Sequence, residues 1–128
     1  MAENIRILIV DDHAIVREGQ RALIDTEPGM DVVGEAVDGF EALSMIADSH
    51  PDLIFVDIMM PRLDGFGLLA KLREDENTAN IPVIVLTAKT LTSEETALLA
   101  NTTQQVIQKQ GLAAKDLVTE LGRALRIE

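Results

Sequence analysis

Asp57 ends the apolar run Leu53-Ile54-Phe55-Val56, and the acidic pair Asp11-Asp12 ends a similar run, Ile7-Leu8-Ile9-Val10. Short continuous apolar runs of this kind read as parallel strands buried on both faces. If the two strands are neighbours, three carboxylates meet at one sheet edge, where their repulsion at short range is severe unless a cation sits among them. The pattern therefore calls for a divalent metal. Two further polar residues stand at the ends of apolar segments: Thr87 after Val83-Ile84-Val85-Leu86, and Lys109 after the stretch 105–108, in which Val106 and Ile107 are the strong β formers.

What must position these groups is an alternation of strand-length apolar runs with stretches of helical period, the signature of repeated βα units. The first strand is expected over 5–10 and its helix over 14–25, with Val16 and Leu23 in the buried stripe and Pro28-Gly29 ending it. The second strand, 32–37, is more polar, as an edge strand should be. Asp38 with Glu41 is an N-cap signal for a helix over 39–48, which His50-Pro51 breaks. The third strand is 53–56, and after the loop 57–65 a helix runs over 66–74 to the polar stretch 75–80. The fourth strand, 83–86, reaches Thr87, and Thr92 with Glu95 forms a capping pair for a helix that fades near Asn101. The fifth strand is 105–108, and the last helix, 113–126, carries Leu117, Leu121 and Leu125 at i, i+4 and i+8. Parallel strands joined by right-handed crossovers place helices on both faces of the sheet. Ligands then bind at the carboxyl ends of the strands, where all the polar residues above sit.

A chain of 128 residues is expected to form a single domain over 1–128, burying roughly 65–70% of its extended surface. The hydrophobic fraction of 47% is ordinary for a globular protein, and no apolar stretch is long enough to span a bilayer, so no membrane partner is expected. Met1-Ala2-Glu3-Asn4 has neither a basic n-region nor an apolar h-region, which points to the cytoplasm. The absence of cysteine excludes disulfides, thiolate metal sites and thiol catalysis. Eleven basic against 22 acidic residues give a formal charge of −11, which repels nucleic acid and anionic lipid, so no direct nucleic-acid binding by this segment is expected. Three Phe without Tyr or Trp leave no stacking platform for bases or flat cofactors.

Taken in order, Asp11-Asp12, Asp57, Met60-Pro61, Asp64-Gly65, Thr87-Ala88 and Lys109 resemble the receiver domain of two-component response regulators over essentially the whole chain. The resemblance implies an α/β, doubly wound, flavodoxin-like (βα)5 fold whose five-stranded parallel sheet has the order 2-1-3-4-5. It implies Asp57 as the phospho-accepting residue, with Asp11, Asp12, Asp57 and the backbone carbonyl of Met59 as ligands of Mg²⁺, for which Mn²⁺ can substitute. Thr87 becomes the switch hydroxyl and Lys109 the lysine that meets a phosphoryl oxygen. The donor partner becomes a histidine kinase or histidine phosphotransfer domain, docking through Ala14, Ile15 and the loop after Lys109. Helix 4, strand 5 and helix 5 become the output surface, with room for a phosphorylation-dependent homodimer. The stretch 11–19 looks like regulators with a helix-turn-helix output domain, whereas 86–89 and 108–111 are more similar to receivers of hybrid histidine kinases.

The residue types suit this chemistry. A carboxylate and a phosphoryl donor repel each other, and a divalent cation held by three acids removes that obstacle. Lys109 supplies a compact positive charge for one phosphoryl oxygen, and Thr87 a hydrogen bond for another. Lys89, two residues beyond Thr87, is expected to line the mouth of the site. Two residues depart from the family pattern. Val106 stands where the family has an aromatic residue that swings inward, so signalling through the fifth strand is expected to be weaker, or carried by the fourth helix and the loop before it. Gln110 stands where proline commonly follows the lysine; a cis bond before a non-proline residue costs about 3–4 kcal/mol, so a trans Lys109–Gln110 peptide is expected.

Taken singly, these residues have plainer readings. Asp12 alone reads as a helix N-cap, Thr87 as a turn residue and Lys109 as a solvated charge, and His13, which beside the acidic pair could serve as a metal ligand or proton shuttle, reads more simply as a residue bordering a loop. His50 reads as surface punctuation, Met59 and Met60 as packing, and Gly65 as a tight start to the third helix. Their joint placement favours a phosphoacceptor switch, which takes part in a phosphotransfer and is unloaded by slow self-catalysed hydrolysis, over a turnover enzyme. A haloacid-dehalogenase-like phosphatase would need an acid where His13 stands. A flavodoxin-like electron carrier would need a Ser/Thr/Gly phosphate loop after the first strand. A degenerate receiver kept as a protein-docking scaffold is opposed by the complete set of acids and the lysine.

Overall fold

The computed structural model describes residues 4–58, 60, 62–87, 91–102 and 105–108, with the backbone alone for 86, 87, 100–102 and 105–108. In chain order the elements are β1 (Ile5–Val10), α1 (Ala14–Asp25), β2 (Met30–Ala36), α2 (Gly39–Ser49), β3 (Leu53–Val56), α3 (Gly65–Glu74), β4 (Val83–Thr87), α4 (Ser93–Thr102) and β5 (Gln105–Gln108). The expected helix over 113–126, together with Met59, Lys89, Lys109 and the Lys109–Gln110 peptide, lies outside the described residues. No helix among the described residues is long and apolar enough to cross a membrane.

The strands form one parallel sheet in the order β2-β1-β3-β4-β5, so β2 is the edge its polarity announced. Residues of alternating parity face opposite sides of a strand, and both parities are apolar here. Leu8, Val10, Ile54, Val56, Val83 and Val85 pack with Ala42 and Ile46 of α2 and with Leu68 and Leu72 of α3. Ile7, Ile9, Leu53, Phe55 and Ile84 pack with Ile24 of α1 on the other face. Ile7 to Val10 and Leu53 to Val56 are buried without a break, which is why these strands read as uninterrupted apolar runs.

Sequence signals at the helix ends are realised as hydrogen bonds. The Asp38 carboxylate accepts from Glu41 N at 2.9 Å to begin α2, which runs to Ser49, one residue beyond expectation, and stops where His50 turns left-handed at φ 47°. Thr92 and Glu95 cap α4 reciprocally, Glu95 N donating to Thr92 Oγ1 at 3.1 Å and Thr92 N to Glu95 Oε1 at 2.9 Å. Strand β2 begins at Met30, two residues before the expected start, because Met30 and Asp31 stay in register with Ile5 and Arg6; a one-residue irregularity then resets the pairing to Leu8 with Gly34.

Helix α3 begins at Gly65 rather than Phe66, and the reason is a close approach. Asp64 caps the helix by accepting from Gly67 N, while Gly65 N donates to Ile58 O at 3.1 Å. A Cβ on Gly65 would lie 2.8 Å from Ile58 Cα and 3.0 Å from Asp57 O, both backbone atoms that cannot move aside cheaply. Gly65→Ala should therefore lower the unfolding free energy by about 1–3 kcal/mol. Gly19→Ala, in α1 with nothing within 4 Å of the added methyl, should raise it by about 0.5–1 kcal/mol. Urea unfolding of the two variants beside the parent checks both signs.

Candidate functional site

Register brings the acids together. Val10 pairs with Val56 and also with Ala36, so β1, β2 and β3 end level. The ladder continues one step past each end: Asp57 N donates to Val10 O and Asp11 N to Ala36 O, both at 3.0 Å. Backbone hydrogen bonds thus fix where two of the acids start, whatever their side chains prefer. Asp11 and Asp57 are buried, at 1% and 4% exposure, and the Asp12 side chain is 29% exposed.

Asp11, Asp12, His13 and Asp57 each present one potential ligand atom, and these atoms all lie within 4.8 Å of one another. Asp12 Oδ1 is buried and accepts no hydrogen bond among the described residues. An orphaned carboxylate oxygen at a cluster of acids is costly unless a cation or another donor serves it. Octahedral Mg²⁺, with bonds of about 2.0–2.1 Å, spaces neighbouring ligand atoms roughly 3 Å apart and opposite ones roughly 4 Å apart. The three carboxylates and the unserved oxygen suit such an ion.

Two readings of single residues change. Asp12 is not the N-cap of α1: His13 holds that position, and no side-chain cap bond forms there. Nor does His13 merely border a loop. Its Nδ1 lies 3.1 Å from Asp11 Oδ1 and 3.1 Å from Asp12 Oδ1, while its backbone N–H donates to Asp11 Oδ1 at 2.9 Å. Thr87 is placed by its backbone at the end of β4, in register with Gln108, and Val106 pairs with Val85, so the segment leading to Lys109 runs beside Thr87. Met60 is buried in the core, as its packing role required.

Sequence reasoning missed three supports. Arg17, on α1, donates from Nη1 to the Asp11 carbonyl at 2.7 Å and from Nε to Glu35 Oε1 at 3.1 Å; Arg21, one turn on, reaches Glu35 Oε2 at 2.6 Å. The loop after Asp57 is fastened to the loop after β2. Gly39 N donates to Leu63 O at 3.0 Å, and Arg62, left-handed at φ 64°, pairs through its guanidinium with the buried Asp38 carboxylate. The spacing of Arg17 and Arg21 was visible in the sequence; their common partner on β2 was not.

A search by family matches residues 7–121 to the response regulator receiver domain. Protein PilG of Pseudomonas aeruginosa is 41% identical over 88 residues, a match spanning 69% of this chain and 64% of PilG. Protein-glutamate methylesterase/protein-glutamine glutaminase 2 of Rhodospirillum rubrum is 40% identical over 97 residues, which span 76% of this chain but 26% of that protein. Less than two thirds of either relative's length is therefore covered. The response regulator domain of Thermotoga maritima CheB superposes with a TM-score of 0.82 at 29% identity, over 98% of this chain and 99% of that one.

Asp38 yields a pH prediction. The Glu41 backbone N–H and the Arg62 guanidinium hold its carboxyl below the ordinary value of 3.8. A carboxyl whose pKa is depressed by folding contributes stability that is present above the unfolded value and disappears as pH falls through the folded one. Asp38→Asn should be less stable than the parent at pH 7, and the gap should close as pH is lowered below about 4; urea midpoints measured between pH 7 and pH 3 report it.

Proposed function

Because the chain belongs to the response regulator receiver domain family of two-component signalling, we propose that it works as a phospho-accepting switch with Asp57 as the acceptor. In this reading an Asp57 carboxylate oxygen attacks the phosphorus of a phosphohistidine on a histidine kinase or histidine phosphotransfer domain. The new P–O bond forms as the P–N bond breaks, and the departing imidazole is reprotonated from solvent. Asp11, Asp12, Asp57 and the Met59 carbonyl would hold Mg²⁺, or Mn²⁺ in its place, which when bound supplies positive charge between nucleophile and phosphoryl oxygens. Lys109 meets a second phosphoryl oxygen, and Thr87 donates a hydrogen bond to a third.

The observation that carries the proposal is the meeting of Asp11, Asp12 and Asp57 side chains at the carboxyl ends of adjacent strands. Burial of Asp57 keeps the acceptor out of bulk water, and the Asp57–Val10 backbone bond fixes its direction of approach. Ile15, 82% exposed at the start of α1, offers an apolar contact to the donor domain beside the mouth. Drawing Thr87 toward the phosphoryl group is the switch step, and on the adjacent β5 Val106, in register with Val85, is a residue too small to report the change as a large ring would. Output through α4 follows, along with a phosphorylation-dependent homodimer. The segment 1–128 acts as one receiver unit in a cytoplasmic setting, self-catalysing phosphotransfer and slow hydrolysis and no other reaction.

Incubation with a small-molecule phosphodonor and Mg²⁺ should add one phosphoryl group to the intact mass of the parent and none to Asp57→Asn. Loss of the adduct at alkaline pH identifies an acyl phosphate. An unmodified parent favours the docking-scaffold reading, and an equally modified Asp57→Asn moves the acceptor elsewhere.

A further inference from the structure

Two of the three acids are aimed by the sheet itself, since Asp11 N and Asp57 N donate into the ladder at Ala36 O and Val10 O. Asp12, one residue past that ladder, makes no such bond among the described residues, although its Oδ1 is buried and unserved. What fixes it are the peptides on either side. The His13 N–H donates to Asp11 Oδ1 at 2.9 Å, and the Asp11 carbonyl accepts from Arg17 Nη1 at 2.7 Å. The His13 ring, 3.1 Å from Asp12 Oδ1, belongs to the same turn and cannot by itself set that turn's direction. Arg17 can, because it is held from outside the turn. Its side chain is 16% exposed, and its Nε donates at 3.1 Å to Oε1 of Glu35, which stands on β2 in register with Ile9, while Arg21 Nη1 takes Glu35 Oε2 at 2.6 Å. A guanidinium presents its Nε and Nη donors in one rigid plane, so fixing the first on Glu35 fixes where the second meets the Asp11 carbonyl.

Resting on the reading of the acid cluster as a Mg²⁺ site, we infer that Arg17 is a positioning residue for that site: with Glu35 and Arg21 behind it, Arg17 sets the Asp11–Asp12 peptide and so the direction of the Asp12 carboxylate. It acts through the Asp11 carbonyl and not on the ion. Its influence has two parts of opposite sign. Positive charge near the cluster disfavours a second cation, whereas order imposed on Asp12 favours one, because an octahedral ion tolerates little error in the placement of its ligands. Order outweighs charge here, since the Glu35 carboxylate offsets the charge of the guanidinium, while among the described residues no other side chain from outside the turn grips the Asp11–Asp12 peptide.

Calorimetric titration of the whole chain with Mg²⁺, beside urea unfolding of the metal-free proteins, tests this. Arg17→Gln should bind Mg²⁺ about tenfold more weakly than the parent. Loss of a nearby positive charge alone would tighten cation binding, so a fall in affinity reports lost placement. Glu35→Gln should weaken binding in the parent background and have little further effect in Arg17→Gln, since the carboxylate acts through the guanidinium. Ile24→Val, which removes a buried methylene from the same helix, should lower the urea midpoint and leave Mg²⁺ affinity unchanged. Parental or tighter binding by Arg17→Gln, or an equal loss in Ile24→Val, overturns the role of Arg17 and leaves the cation site standing. A parent that does not bind Mg²⁺ overturns the cation site and Arg17 together.

Discussion

Everything at the functional end of this molecule depends on holding like charges close. Two carboxylates about 4 Å apart repel by about 4 kcal/mol at an effective dielectric of 20, and Asp11, Asp12 and Asp57 form three such pairs within 4.8 Å of one another. The fold does not dissipate this repulsion by letting the side chains turn away. Level strand ends and backbone hydrogen bonds from Asp11 to Ala36 and from Asp57 to Val10 put both acids at the same edge as a condition of sheet formation. The apolar sheet beneath, buried on both faces, supplies the stability against which this cost is set.

The surrounding loops are tied in a way that suits such a strained edge. Gly65 lets α3 start directly against the Asp57–Ile58 backbone, so the segment leaving the acceptor cannot drift outward. Asp38 and Arg62 fasten that segment to the loop beyond β2, and the Arg62 guanidinium also lies 6.0 Å from the Phe40 ring centroid. On the other side, Arg17 holds the Asp11 carbonyl and Glu35 together. The Asp38–Arg62 tie joins loops that follow different strands, the Gly65 contacts lie within the loop after β3, and Arg17 links α1 to the Asp11 carbonyl and to β2, so α1, α2 and α3 each touch the acid edge through named contacts.

Much of this was legible in the residues. Uninterrupted apolar runs announced the central strands, the polarity of 32–37 announced an edge, and Asp38, Thr92 and Glu95 announced helix starts, because each signal depends on local chemistry. The acids were legible for the same reason: charge directly after a buried strand has few structural uses. What stayed hidden depends on partners distant in sequence or on backbone angles. Strand β2 runs from Met30 to Ala36 rather than over 32–37 because the ladder that recruits Met30 and Asp31 lies on β1. Arg62 meets Asp38 from a left-handed conformation that no propensity favours for arginine. That His13 stands beside the acids is visible in the chain, but that its ring turns to within 3.1 Å of both depends on a side-chain direction that the chain does not give.

Thermal unfolding in the presence and absence of Mg²⁺, for the parent and for Asp12→Asn, addresses the repulsion directly. The metal-free variant should melt several degrees above the metal-free parent, because one of the crowded charges is gone, and Mg²⁺ should raise the parent's midpoint much more than the variant's. A parent indifferent to Mg²⁺, together with a variant less stable than the parent, would contradict the claim that electrostatic crowding at this edge is real and is relieved by a divalent cation.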